Sequence, residues 1–158
     1  MSYLYFFKSR LIILSHIIKE IYFTLTWYTW KILPYNRTAV FIVDGRIDSC
    51  GMTDRFKGAV SLYCWAKQND IPFRISYTSP FKLTDFLIPN KYDWIPQKED
   101  YVQSARASKV IYAIGEPDVE KRFNPHSKKQ IHFYGNRDLL NNLGIPSSEW
   151  GGVFSRAV

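Results

Sequence analysis

The chain has 158 residues, of which 46% are hydrophobic and 22% are charged, and this length and composition suit one folded domain and exclude wholesale disorder. Its formal net charge of +7 favours anionic partners such as nucleic acid, anionic lipid or a phosphorylated small molecule. The basic residues are scattered, without a run of five or an aromatic RNA-binding signature, so we expect no nucleic-acid partner.

The two cysteines point away from metal and redox chemistry. Cys50 and Cys64 form no CxxC pair and no Cys/His ligand set, so we expect no metal site. Cys64 lies in an apolar helical pattern and is expected to be a small buried side chain. Two cysteines without a cleavable signal sequence fit a reducing compartment, which predicts a cytoplasmic location.

Residues 1–36 form an arm that is rich in aromatic and bulky aliphatic side chains. Its longest uncharged spans, of about ten residues, are shorter than the roughly 20 that a transmembrane helix needs. Counted to Arg37, five basic residues stand against one acidic residue, Glu20, and three aromatic residues lie between Trp27 and Trp30. The pattern predicts an amphipathic helix at the inner face of an anionic membrane. The alternative is a helix packed on this domain or on a missing partner.

Residues 37–158 follow an alternating pattern of strands and helices. Apolar and β-branched runs predict strands at 38–43, 72–77, 109–115 and 130–135. Helical spacing predicts a helix at 54–69, with Thr53 as its N-cap, and short or weak helices at 97–107 and 138–143. Consecutive strand, helix and strand close as a right-handed crossover with parallel strands. The sequence therefore predicts an α/β fold, a Rossmann-like three-layer domain with a mostly parallel sheet, preceded by the amphipathic N-terminal helix.

The segment between the first strand and its helix has the composition of a binding loop. Gly51 allows a phosphate or sugar to approach the backbone, and the helix that follows presents unpaired N–H groups. Arg55 and Lys57 add positive charge nearby. The segment contains neither GxGxxG nor GxxxxGK[ST], which argues against dinucleotide and P-loop chemistry. The alternative role of Gly51 and Gly58 is a tight turn with close packing of helix on strand.

Residues 50–58, Cys-Gly-Met-Thr-Asp-Arg-Phe-Lys-Gly, resemble the Gly-Gly-x-Gly-Asp-Arg-Leu-x-Gly pattern of the nodulation and core α1,6-fucosyltransferases. The likeness continues through a helix that ends Ala66-Lys67 and a strand with Phe73-Arg74-Ile75, and it looks closest to bacterial relatives in surface polysaccharide synthesis. The resemblance implies the N-terminal half of a GT-B-like enzyme that moves fucose from GDP-fucose to a saccharide hydroxyl. It implies a GDP-sugar as donor substrate, no cofactor and no obligatory metal.

The resemblance also implies a division of labour between two domains. The first domain shapes the acceptor side, and the second carries a His-x-Arg motif whose arginine neutralises the leaving diphosphate. No histidine of this chain has an arginine two residues on, and the apolar segment 150–154 has little chain left to bury it. We therefore expect the second domain to be absent and the chain alone to be unable to complete a transfer.

An inverting transfer needs a base that takes the acceptor proton, and a carboxylate in a loop after a strand is the usual choice. Asp44, Asp48 and Asp54 are all expected near the cleft, and Asp48 and Asp54 are the preferred catalytic candidates. The candidate substrate-binding residues are Gly51, Arg55, Lys57 and Asn136.

Each of these candidates has a structural alternative. Asp54 would stabilise the start of the helix, Arg55 would form an internal salt bridge, and Asn136 would belong to a turn after the fourth strand. The alternative function is a non-catalytic, membrane-peripheral α/β module that binds an anionic ligand or a partner protein.

Overall fold

The computed structural model describes residues 3–47, 51–114, 116 and 119–144. The four strands form one parallel sheet in the order β2-β1-β4-β3, which confirms the predicted α/β fold. Two short 3-10 helices lie in the connections, at Leu83–Asp85 and Val119–Arg122. The helices and strands are α1 (Tyr3–Trp27), β1 (Ala39–Val43), α2 (Met52–Gln68), β2 (Phe73–Tyr77), β3 (Ser108–Ala113) and β4 (Gln130–Gly135).

The domain has three layers because successive side chains of a strand point to opposite faces of the sheet. Ala39, Phe41 and Val43 face α2 and join the larger core cluster. Val40 and Ile42 face the other way, where they pack with residues of α1 and the segment that follows it. All five residues of β1 are buried, as expected for a central strand of a parallel sheet covered on both faces.

Helix α2 packs very closely on the sheet, and Gly51 is the residue directly before its first turn. A Cβ atom at Gly58 would lie 2.3 Å from the carbonyl oxygen of Gly135, so only glycine allows this approach of helix and strand. The prediction that Thr53 caps the helix is wrong, because Thr53 already lies within the first turn and Gly51 is the N-cap residue. The backbone of Gly51 (φ −53°, ψ 164°) provides the required turn without a side-chain cap.

The predicted helix at 97–107 is also wrong. A helix uses its N–H groups internally, whereas two N–H groups of this segment are committed to distant partners. The N–H of Val102 donates to the side-chain oxygen of Gln130 at 2.9 Å, and that of Ala105 donates to the carbonyl of Thr29 at 2.9 Å. The segment consequently forms turns that join α1 to the sheet. The predicted helix at 138–143 is a hydrogen-bonded turn.

Helix α1 covers the second face of the sheet and is held there by buried ionic groups. The carboxylate of Glu20 accepts hydrogen bonds from the backbone N–H of Tyr112, at 2.6 Å, and from the guanidinium of Arg122. Arg122 also donates to Glu116 at 3.0 Å, and Glu116 lies 2.8 Å from Nδ1 of His16. Burial raises the pKa of the Glu20 carboxyl, and the Arg122 pairing opposes that change.

The N-terminal helix is thus packed on this domain, one of the arrangements that the sequence left open, and its association with a membrane stays a prediction. The division of the chain at residue 36 stays a prediction. Within the described residues, no helix combines the length and the apolarity needed to cross a bilayer.

Candidate functional site

A narrow cleft opens at the carboxyl ends of the strands, between β1 and β4. Its enclosed space is about 10 Å³, which is room for about one water molecule, so a larger ligand would have to lie across the mouth. In open parallel sheets this edge is where ligands bind. The cleft is lined by Ile42, Val43, Asp44, Ile47, Arg55, Ile114, Tyr134 and Gly135.

Asp44 is the carboxylate of this lining, and it directly follows β1. One carboxylate oxygen accepts a hydrogen bond from the hydroxyl of Tyr134 at 3.1 Å, and the other accepts from the backbone N–H of Arg46 at 3.1 Å. The Asp44 side chain is 11% exposed, and the Arg46 guanidinium lies 3.6 Å away. Gly45 has φ +79°, so the bend after Asp44 requires a residue that adopts the left-handed region. The carboxylate is therefore held in a defined orientation at the cleft.

Behind Asp44 lies a buried layer of tyrosines on the α1 face of the sheet. Burial raises the pKa of Tyr134, and the nearby hydroxyls of Tyr28 and Tyr101 and the charge of Asp44 raise it further. Burial likewise raises the pKa of Tyr28 and of Tyr101. These phenols consequently keep their protons, and Tyr134 acts as a hydrogen-bond donor to Asp44.

His132 is the innermost polar residue of this layer and is completely buried. Its Nδ1 lies 2.6 Å from the Tyr28 hydroxyl, and its Nε2 lies 3.0 Å from the side-chain oxygen of Gln130. The amide nitrogen of Gln130 donates to two backbone carbonyls, so its oxygen faces His132 and accepts a hydrogen bond from the ring. This arrangement assigns the proton to Nε2. Burial lowers the pKa of His132 to about 3, which keeps the ring neutral.

Arg55 links the cleft to the end of β2. It lies in the first turn of α2, and its guanidinium donates a hydrogen bond to the hydroxyl of Tyr77 at 2.9 Å. The guanidinium carbon lies 5.8 Å from the centre of the Tyr77 ring, within range of a cation–π contact. The predicted substrate-binding residue Arg55 therefore lines the cleft, in a position held by an aromatic side chain.

The other predicted residues have varied positions. Gly51 is exposed at the start of α2, with open space around it. Asp54 pairs with Lys57 at 3.1 Å on the outer side of the same turn, where the two side chains are 44% and 40% exposed. Asn136 follows Gly135, a cleft-lining residue, and is half-buried. Asp48 lies outside the described residues.

Two side chains at the cleft were not preferred from the sequence. Asp44 was one of three candidate bases, and its position directly after a fully buried strand is the signal that could have identified it. Tyr134 was missed, because a tyrosine in a strand gives no indication that its hydroxyl meets a carboxylate 90 residues away in the chain. The alternation of β4 places Tyr134 on the α1 face, but only the tertiary fold places it beside Asp44.

The described residues contain no group of three or more His, Cys, Asp or Glu side chains arranged to hold a metal ion. Comparisons of the chain with models of protein families, with curated proteins and with solved structures found no match. No matched relative therefore assigns a role to Asp44, Tyr134 or Arg55.

Proposed function

We propose that this chain is the Rossmann-like half of a fucosyltransferase-type glycosyltransferase, which transfers a sugar from a GDP-sugar to a saccharide acceptor in surface polysaccharide synthesis. One observation carries the proposal: an oriented carboxylate, Asp44, and a guanidinium, Arg55, line the same cleft at the carboxyl edge of a parallel sheet. The segment that resembles fucosyltransferases, residues 50–58, contributes Arg55 and the N-terminus of α2 beside this cleft.

Asp44 can accept the proton that the acceptor loses in this reaction, and Arg55 can stabilise negative charge on the substrates. The acceptor oxygen attacks the anomeric carbon, the bond from that carbon to the β-phosphate oxygen breaks, and the acceptor hydroxyl loses its proton. In the proposal Asp44 takes this proton as general base, and Tyr134 keeps the carboxylate oriented. Arg55 and the N–H groups at the start of α2 stabilise negative charge on a phosphate or on the acceptor. The substrates lie across the mouth of the cleft, and Asp48 stays a further candidate base.

Calorimetric titration of the chain with GDP-fucose and with GDP-mannose tests the proposal. Arg55→Ala should weaken binding of the sugar nucleotide or of an acceptor oligosaccharide about ten- to hundred-fold, since a hydrogen bond to a charged group contributes roughly 1.5–3 kcal/mol. Arg106→Ala is the matched control, because Arg106 is exposed in the turn before β3, at the opposite edge of the sheet. An equal affinity for the two variants, or no saturable binding of either ligand class, would contradict the proposal.

A second candidate is a non-catalytic, membrane-peripheral module that binds an anionic ligand or a partner protein. The exposed apolar side chains of α1 favour it, because a helix packed on its own domain would normally turn such side chains inward. This candidate predicts a monodisperse chain that unfolds reversibly and hydrolyses no donor sugar. In both candidates we place the protein in the cytoplasm, at the inner face of a membrane.

A further inference from the structure

Helix α1 turns much of its apolar surface away from the sheet, and it buries ionic side chains against the sheet together with Phe23. Facing the sheet, His16 and Glu20 are buried among ionic partners. Facing outward, Ile18, Tyr22 and Leu25 are 58%, 69% and 61% exposed. This outward side also includes Leu11, Leu14 and Ile21, and Trp30 lies beside it just beyond the end of the helix. A continuous exposed apolar surface of this kind marks an interaction site.

A groove runs between this outward side and the amino-terminal half of β3. Its volume is about 380 Å³. Ile21, Leu25 and Trp30 form apolar parts of its lining, Lys109 and Lys129 contribute two basic side chains, and Glu20 contributes a carboxylate that is paired with Arg122. The same three apolar side chains are exposed, so the groove is continuous with the outward side of the helix.

The two lysines have hydrogen-bond donors left for an anionic ligand. Lys109 donates to the carbonyl of Arg122 at 3.0 Å, and Lys129 donates to the carbonyl of Ala105 at 2.9 Å. An ammonium group has three donors, so each retains donors for a phosphate oxygen. Burial and the guanidinium of Arg122 lower the pKa of Lys109, and the nearby carboxylate of Glu20 opposes that change, as a bound anion would.

The charge of the segment decides which partner fits. Every exposed charged residue between positions 8 and 37 is basic, and the one acidic residue, Glu20, is buried against Arg122. A second copy of the chain would present the same basic surface and be repelled. An anionic bilayer is complementary to this surface, because its acyl region accepts the apolar side chains and its phosphates pair with lysine.

We propose that the outward side of α1 and the groove beside it dock the protein on an anionic bilayer, with a lipid phosphate seated between Lys109 and Lys129. The helix is already folded on the sheet before it meets the membrane, and the Glu20 and Arg122 pairing keeps its apolar side outward. This inference rests on the proposed membrane location and is independent of the proposed sugar transfer.

The test is co-sedimentation of the full chain with vesicles of phosphatidylcholine alone or with added phosphatidylglycerol. The double variant Lys109→Gln/Lys129→Gln should bind the anionic vesicles about 30-fold more weakly, because each basic side chain at such a surface contributes roughly a five-fold factor. The matched control is Lys82→Gln/Lys91→Gln. It removes the same charge from exposed positions in the connection that follows β2, the strand at the opposite edge of the sheet.

A second pair of variants tests the apolar contribution. Ile18→Gln/Leu25→Gln should lower vesicle binding by about ten-fold or more, whereas Phe86→Gln/Ile88→Gln, which changes exposed apolar residues elsewhere, should not. Circular dichroism checks that every variant is folded. Equal losses in the test and control variants, or equal binding to neutral and anionic vesicles, would overturn the inference. So would a dimer in sedimentation velocity that the Ile18→Gln/Leu25→Gln change dissociates. Because none of these variants alters a cleft residue, sugar-nucleotide titration reports separately on the proposed transfer.

Discussion

Acidification should destabilise the folded chain through His132. In the folded state this ring is completely buried, and its pKa is lowered from 6.5 to about 3 by burial. Its two nitrogens are already committed, since Nε2 donates to Gln130 and Nδ1 accepts from Tyr28. A second proton would have to enter a layer that contains Tyr101, at 4.9 Å between ring centres, and no carboxylate in hydrogen-bond contact with the ring among the described residues.

The direction in which pH changes the stability follows from the lowered pKa of His132. Above 6.5 the ring is neutral in both states, and its contribution to stability is fully present. As the pH falls below 6.5, His132 becomes protonated in the unfolded chain. In the folded chain it stays neutral until the pH approaches about 3. Each pH unit in this window costs about 1.4 kcal/mol, so a change from about pH 7.5 to about pH 5 should lower the free energy of unfolding by roughly 2 kcal/mol.

Urea denaturation at a series of pH values measures this loss. His132→Gln keeps a hydrogen-bonding side chain that does not titrate, so the difference between wild type and variant should change by roughly 2 kcal/mol over the same range. His126→Gln is the control, because it removes a histidine from an exposed position and should not reproduce the effect of His132→Gln. An identical pH slope in wild type and His132→Gln would refute the assignment of His132 as a buried neutral ring.

Three further predictions concern packing, the buried ions and the thiol. Gly58→Ala should cost about 1–3 kcal/mol of unfolding free energy in urea titrations, since its Cβ would lie 2.3 Å from the Gly135 carbonyl oxygen. Arg122→Met should cost about 3–5 kcal/mol at neutral pH by thermal unfolding, because it leaves buried carboxylates without their cation, and the loss should shrink in acid as Glu20 protonates. With the other cysteine replaced by serine, Cys64 should react with iodoacetamide at about pH 8 only at the rate of unfolding, because burial raises its pKa to about 11.

Each of these has a control or a contrary outcome. Gly51→Ser places a favoured N-cap residue in open space and should keep or raise stability. Arg106→Met removes an exposed arginine and should be nearly neutral. Rapid alkylation of Cys64 in the folded chain would show that the thiol is accessible. If the loss of unfolding free energy in Arg122→Met stayed constant with pH, that result would argue against a charged Glu20 left without its cation.

The strands were the most predictable part of the fold. Strand β4 spans the predicted residues 130–135, and β1 and β2 begin one residue later than predicted. Runs of apolar and β-branched residues are a local signal, so they remain readable without knowledge of the neighbouring chain. The turns at 97–107 were not predictable, because the N–H groups of Val102 and Ala105 are satisfied by Gln130 and Thr29, which lie far away in the sequence.

The candidate site likewise has features that the sequence predicted and features that only the tertiary fold determined. Arg55 was expected at the cleft from its place in a loop-to-helix segment, and it lines the cleft. Asp54 and Lys57 share its helical turn, but they project outward and pair with one another. Which residue of a turn faces a neighbouring strand depends on how the helix is rotated against the sheet, and the close contact of Gly58 with Gly135 determines that rotation.

By itself the sequence determined the α/β class, the parallel strands and the position of the glycine-bearing segment, because periodicity and turn residues act over a few neighbours. Only the tertiary structure decided that Tyr134 meets Asp44, that His132 is buried without a charge, and that α1 turns Glu20 inward and its apolar side outward. These outcomes depend on which surfaces come together across some 90 or more residues of chain. The free energy of burying a polar group is set by the partner it meets there, which no local pattern specifies.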